Sequence, residues 1–137
     1  MDSASDDLLV NKRVLVVEDD ALVGIGLLTC LEDIGAEVLW TSTVDSAIAA
    51  IEGAVPMHLA IVDINLNGVK SNPVLDVLID RNVPVLLCTG YDPSFIDGQY
   101  RHLSCVAKPF TRNKVIPIVS ELMAVNTGAS QIGSLGH

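Results

Sequence analysis

Short apolar runs alternate along the chain with stretches in which apolar residues recur every three or four positions. That alternation predicts strands and helices in turn, the pattern of an α/β fold on a parallel sheet. The run Arg13-Val-Leu-Val-Val17 is continuous and β-branched, as a strand buried on both faces must be. Asp20 then stands where it can cap a helix, with Leu22, Ile25, Leu28 and Leu31 as its inward stripe and Gly35 as its end. Residues 36–40 predict a second strand. Ser42 or Thr43 caps a second helix to about Glu52, with Val44, Ala47, Ile48 and Ile51 as its apolar face. Residues 59–62 predict a third strand, and Asn72-Pro73 opens a third helix that turns Val74, Leu75, Val77 and Leu78 inward. Residues 83–88 and 103–107 predict strands four and five, and Thr111 caps a last helix to about Met123.

Two places break the regularity. The link between strands four and five, residues 89–102, contains Asp92-Pro93 and Gly98, so it holds at most a turn or two of helix and is expected to be mobile. Pro117 lies inside the last helix and predicts a kink, at roughly 3 kcal/mol unless packing compensates. Polar residues 1–11 read as a flexible lead-in and Gly/Ser-rich residues 125–137 as a flexible tail, leaving one domain over 12–124.

Composition narrows the function. A chain of 137 residues, 50% apolar, can bury a sizeable single core. Its net charge of -9 and scattered basic residues argue against a nucleic-acid surface. No apolar stretch reaches the roughly 18 residues of a membrane span, and the acidic start is unlike a signal peptide. Three cysteines (Cys30, Cys88, Cys105) in apolar elements suit reduced thiols and a cytoplasmic location. His58 and His102 lack metal-spaced partners, and Trp40 reads as packing or edge cover.

The chemistry lies where the strands end. Glu18-Asp19-Asp20 follows strand one, Asp63 follows Val62, Thr89 follows Cys88 and Lys108 follows Ala107. In an open parallel sheet these ends converge on one rim. Two carboxylates 4 Å apart repel by roughly 4 kcal/mol at an effective dielectric of 20, so crowded acids call for a cation. An all-oxygen set selects a hard divalent ion, and Mg²⁺ is the usual one beside phosphate. Asp19 and Asp63 are its expected direct ligands, Glu18 binds directly or through water, Asn65 offers its backbone carbonyl, and Asp20 reads as a helix cap. Asp63 is the expected phosphoryl-accepting nucleophile, with Lys108 and Thr89 as donors to the phosphoryl oxygens. A cis Lys108-Pro109 bond is expected to aim the lysine at the rim.

With these pieces in order, the chain resembles the receiver domain of two-component response regulators over residues 12–124. The matching stretches are Val-Leu-Val-Val-Glu18-Asp19-Asp20, Val62-Asp63-Ile-Asn-Leu-Asn-Gly68, Cys88-Thr89-Gly and Ala107-Lys108-Pro-Phe110. Leu87-Cys-Thr-Gly-Tyr91 is similar to the stand-alone receivers nicknamed FATGUY. The resemblance implies a single doubly wound, flavodoxin-like parallel sheet of order 2-1-3-4-5. It also implies a single-domain regulator phosphorylated on Asp63 by a histidine kinase or histidine phosphotransfer protein. Such a protein catalyses only its own phosphorylation and dephosphorylation, and signals by association or passes phosphate along a phosphorelay.

Three positions depart from the family pattern. Residue 105, usually an aromatic that swings inward on phosphorylation, is Cys; the fourth helix is abbreviated; and the last helix carries Pro117. Tyr91 is the aromatic near enough in sequence to stand in. A competing class is the aspartate-nucleophile phosphohydrolase, whose second aspartate, two residues on, serves as general acid. Here that place holds Asn65, whose amide cannot donate a proton in that way.

Overall fold

Strand side chains alternate between two faces, and a sheet covered on both faces needs strands that are apolar throughout. In β1 (Arg13–Val17), Val14 and Val16 point to one face and Leu15 and Val17 to the other, all four fully buried. β3 (Leu59–Asp63) and β6 (Val85–Thr89) repeat the division, with Ile61, Leu86 and Cys88 on the first side and Val62, Val85 and Leu87 on the second. The computed structural model describes residues 7–90 and 96–125. β2 (Glu37–Thr41), β1, β3, β6 and β7 (Ser104–Ala107) form one five-stranded sheet in the order β2-β1-β3-β6-β7, parallel throughout. This is the expected 2-1-3-4-5 arrangement, because a short hairpin, β4 (Asn65–Leu66) and β5 (Val69–Lys70), lies outside the main sheet.

Helices cover both faces. α1 (Ala21–Asp33) and α4 (Arg112–Val125) pack on the side of Val14 and Val16, through Leu27, Leu31, Val115 and Val119. α2 (Val44–Glu52) and α3 (Asn72–Asp80) pack on the other, through Ala47, Ile51, Val74, Leu75 and Leu78. Each fully buried side chain of this size stabilises the fold by about 1.5–3 kcal/mol before chain entropy is counted. α2 starts as expected at Thr43, whose hydroxyl accepts the Ser46 N–H at 3.1 Å in a capping box. Gly35 ends α1 at φ 99°, a conformation that favours glycine, and Val10 packs against it. Among the described residues no helix is long and apolar enough to cross a membrane.

The inward stripe of α1 differs from the expected one. Leu22 is 83% and Ile25 51% exposed, while Gly24, Leu27 and Leu31 face the sheet. The cause is Trp40: a Cβ on Gly24 would lie 2.1 Å from its ring, so the helix sits directly on the indole and is turned to present glycine there. Hydrophobicity alone favours the leucine stripe; close approach of the aromatic overrides it.

One further expectation changes. Within the segment read as a loose lead-in, Leu9 is fully buried and its N–H donates to Ile34 O at 2.8 Å. In the 89–102 link the described residues hold a short 3₁₀ turn (Gly98–Tyr100), in keeping with the abbreviated helix expected there, and Ile96 and Tyr100 lie in the core beside Leu75, Leu78 and Leu87. Tyr91 and Asp92, like residues 126–137, fall outside the described residues. α4 runs unbroken through Pro117, which is exposed, as is Asn113 one turn earlier. The carbonyl that proline leaves without its helical partner is therefore on the solvent side, where water can satisfy it.

The α1–Trp40 contact makes a paired prediction. Gly24→Ala forces a Cβ into the indole and lowers stability by about 1–3 kcal/mol in denaturant melts. Gly26→Ala on the same helix meets nothing within 4 Å and raises stability by about 0.5–1 kcal/mol.

Candidate functional site

Strand register assembles the site. Val17 pairs with Val62, so the next residues, Glu18 and Asp63, come level at the rim. Asp63 pairs with Cys88, which sets Thr89 one step further out; Thr89 pairs with Ala107, which sets Lys108 one step beyond that. The Lys108 N–H donates to Thr89 O at 2.7 Å, and the Lys108–Pro109 bond is cis, as expected. Parallel pairing thus brings residues from four corners of the sequence to one edge.

Lys108 is the centre of the arrangement. Its Nζ donates to Asp63 Oδ2 at 2.9 Å and lies 2.8 Å from Glu18 Oε1. Glu18 is only 1% exposed; its Oε2 accepts the Asp20 N–H at 3.1 Å, and its Oε1 faces the Lys108 ammonium. Asp19 is half-buried, and oxygens of Glu18, Asp19 and Asp63 lie within 4.8 Å of one another. Asp20 turns away and accepts the Leu22 and Val23 amides as the N-cap of α1, as expected.

Burial raises the Glu18 carboxyl from its ordinary 4.5 to about 7; Lys108 and the Asp20 amide pull it back, and Asp63 adds to the rise. Burial pulls the Lys108 ammonium down, but its bonds to Glu18 and Asp63 outweigh that and leave its pKa raised. Two carboxylates, Glu18 and Asp63, therefore share one ammonium, with the Asp19 carboxylate close to both. A hard cation fits this donor set, which is all oxygen and incompletely neutralised.

The mouth is a cleft of ≈ 540 Å³ lined by Asp19, Asp63, Asn65, Asn67, Gly68, Gly90 and Lys108. Its floor is the hairpin after Asp63, in which Asn67 (φ 53°) and Gly68 (φ 85°) form a two-residue turn of the type I′ kind. Asn65 lines the cleft as expected, and its side-chain Oδ1 accepts the Gly68 N–H at 2.7 Å. The Asn-Gly pair was a readable turn signal, but its flanking strands of two residues each are too short to show a period.

Trp40 has more than the covering role its sequence suggested. Its Nε1 donates to Glu18 O at 2.9 Å and so holds the backbone behind the acidic cluster. No sequence spacing marks that link, because it joins neighbouring strands. Cys105 is half-buried beside the Tyr100 cluster, and Cys30, Cys88 and Cys105 are all unpaired. His58 Nδ1 accepts the Arg13 N–H at 2.9 Å, a strand-edge role.

The linkage of Glu18 fixes a pH dependence. Because its folded pKa lies above its unfolded value, the folded state holds more protons between them, and stability falls as pH rises. Metal-free protein is therefore expected to lose stability from about pH 4.5 to about 7 through this group. Glu18→Gln flattens that part of the profile in thermal melts taken across the range.

No family model and no curated protein matches the chain. Solved structures do. SdrG from Sphingomonas melonis Fr1 is 33% identical, with a TM-score of 0.72 over 82% of this chain and 96% of that one. The receiver domain of PhyR from Erythrobacter litoralis is 27% identical, with a TM-score of 0.72 over 82% and 89%. PhyR from Brucella abortus is 26% identical, with a TM-score of 0.80 over 96% of this chain, which spans about half (54%) of that protein. With the sheet order, the rim residues and these likenesses together, the chain belongs to the response regulator receiver domains.

Proposed function

We propose that the protein is a phosphoacceptor signalling domain that takes a phosphoryl group on Asp63 in the presence of Mg²⁺, from a histidine kinase, a histidine phosphotransfer protein or a small donor. The observation that carries this reading is the sharing of the Lys108 ammonium between Asp63 and Glu18, with the Asp19 carboxylate close to both. Glu18, Asp19 and Asp63, with the Asn65 carbonyl, would hold the cation, which offsets the charge that a phosphoryl group brings to a site already rich in carboxylates.

An Asp63 carboxylate oxygen forms the new O–P bond while the donor's bond to phosphorus breaks and its electron pair leaves with the donor. Lys108, already 2.9 Å from Asp63 Oδ2, is placed to move its ammonium onto a phosphoryl oxygen. Thr89, buried at the end of β6, offers a hydroxyl to another. An amide at Asn65 supports acceptance rather than phosphohydrolase turnover, since no general acid stands two residues after the nucleophile. The phosphorylated domain then acts through protein–protein association or hands the phosphoryl group on.

Two outcomes test this. Incubation with acetyl phosphate and Mg²⁺ adds about 80 Da to the intact mass, and Asp63→Asn abolishes the gain; undiminished labelling of the variant would remove Asp63 from the role. Mg²⁺ binding to the folded state alone raises the melting temperature. Asp19→Asn blunts that rise while raising metal-free stability by relieving repulsion, and an unchanged melting temperature in both proteins would refute the metal site.

A further inference from the structure

Beside the acceptor cleft lies a second polar cluster that the phosphoryl chemistry does not use. Asp97, in the link between β6 and β7, accepts the Asn72 Nδ2–H at 2.8 Å and pairs with Lys70 Nζ at 3.3 Å. These bonds hold its carboxyl below the usual range, the Asn72 amide first and Lys70 second. Lys70 is the last residue of the hairpin, and its ladder partner across the two strands is Asn65. Asn72 is the first residue of α3. One carboxylate thus grips both the exit of the hairpin and the start of the helix that follows it.

Asp97 itself is held firmly. Its neighbour Ile96 and, three residues on, Tyr100 are both buried in the core, and the Tyr100 hydroxyl donates to Asp76 Oδ1 of α3 at 2.6 Å. Ser71, between Lys70 and Asn72, is fully buried and donates from Oγ to Ile64 O at 3.1 Å, which closes the loop back to the residue after Asp63. The hairpin turn, by contrast, meets little: Asn67, Gly68 and Val69 are exposed, and its two strands have two residues each. A two-stranded ribbon of that length has little stability of its own. Its placement depends on Leu66, which is buried in the core, and on what grips its exit.

We infer that Asp97 is a positioning residue for the metal side of the acceptor site, fixing through Lys70 and Asn72 the hairpin that carries the Asn65 carbonyl. The inference rests on the proposed Mg²⁺-dependent acceptor role. An exposed pair such as Lys70–Asp97 contributes little to overall stability, so its effect is on where the ligand sits. Outer partners that orient a metal ligand act in the same way.

The test is a Mg²⁺ titration of the full chain followed by the fluorescence of Trp40, the single tryptophan, whose Nε1 bonds the Glu18 carbonyl behind the site. Asp97→Ala is expected to weaken Mg²⁺ binding about tenfold, the lower end for an outer partner of a ligand. Its metal-free melting temperature stays near that of the wild type, while the amides of Asn65 and Lys70 exchange faster with solvent. Lys70→Met and Asn72→Ala each give part of the loss, and Asp97→Glu restores most of it. Unchanged affinity in Asp97→Ala, with a wild type that binds Mg²⁺, would overturn the inference and leave the proposed function standing. So would a loss in Asp97→Ala that neither Lys70→Met nor Asn72→Ala shares. A wild type that ignores Mg²⁺ would remove the proposed function, and this inference with it.

Discussion

The structure depends on an imbalance of charge at one edge of the sheet. Glu18 and Asp63 both pair with one ammonium, Lys108, the Asp19 carboxylate lies close to both acids, and Glu18 is fully buried. No apolar packing requires carboxylates there. They are kept together because each lies at the end of a buried strand, or next to one, and the strands cannot shift without exposing their apolar faces. The free energy of the core thus holds an arrangement that electrostatics alone would disperse. A site strained in this sense gains most from a ligand that brings positive charge, and a second ligand of negative charge becomes acceptable once the first is present.

Around that edge, three elements of different origin serve as supports. Trp40 reaches from β2 to the Glu18 carbonyl, so the edge strand beside β1 sets the backbone behind the acids. The hairpin after Asp63 forms the floor of the cleft, with Asn65 bonded to Gly68 across its turn. The link after Thr89 comes back to grip the far end of that hairpin through Asp97. Asp63 is fixed by the sheet, whereas the hairpin and the Asp97 link beside it are connections, which is the usual division between a rigid scaffold and its loops.

Most of the fold was legible in the sequence because its parallel strands are short, continuous and apolar, and each ends in a polar residue of distinct chemistry. Asp63, Thr89 and Lys108 could be placed from that pattern alone, and the register brings them to one rim. What was not legible depended on contacts between elements remote in sequence. The face of α1 cannot be read from its hydrophobic pattern because Trp40, sixteen residues from Gly24, decides which side can approach the sheet. Tyr100 lies buried in the cluster that Cys105 packs against, carried inward by the 3₁₀ turn after Asp97, a contact that no periodicity marks. Leu9 belongs to the core although its neighbours are polar, since one buried residue leaves no period to detect.

The rotation of α1 has a consequence for how the protein can change over time. Leu22 and Ile25 were displaced to the surface by a glycine's need to meet an indole, and Leu22, with Gly26 and Cys30, borders an apolar groove that reaches Phe110 and Lys108. Because little of their side-chain surface is buried, these positions contribute little to folding. Substitutions at residues 22 and 25 can therefore rewrite the surface beside the acidic rim while the sheet that carries Asp63 stays as it is. Stability and surface identity are encoded on opposite sides of the same helix, and each can drift without the other.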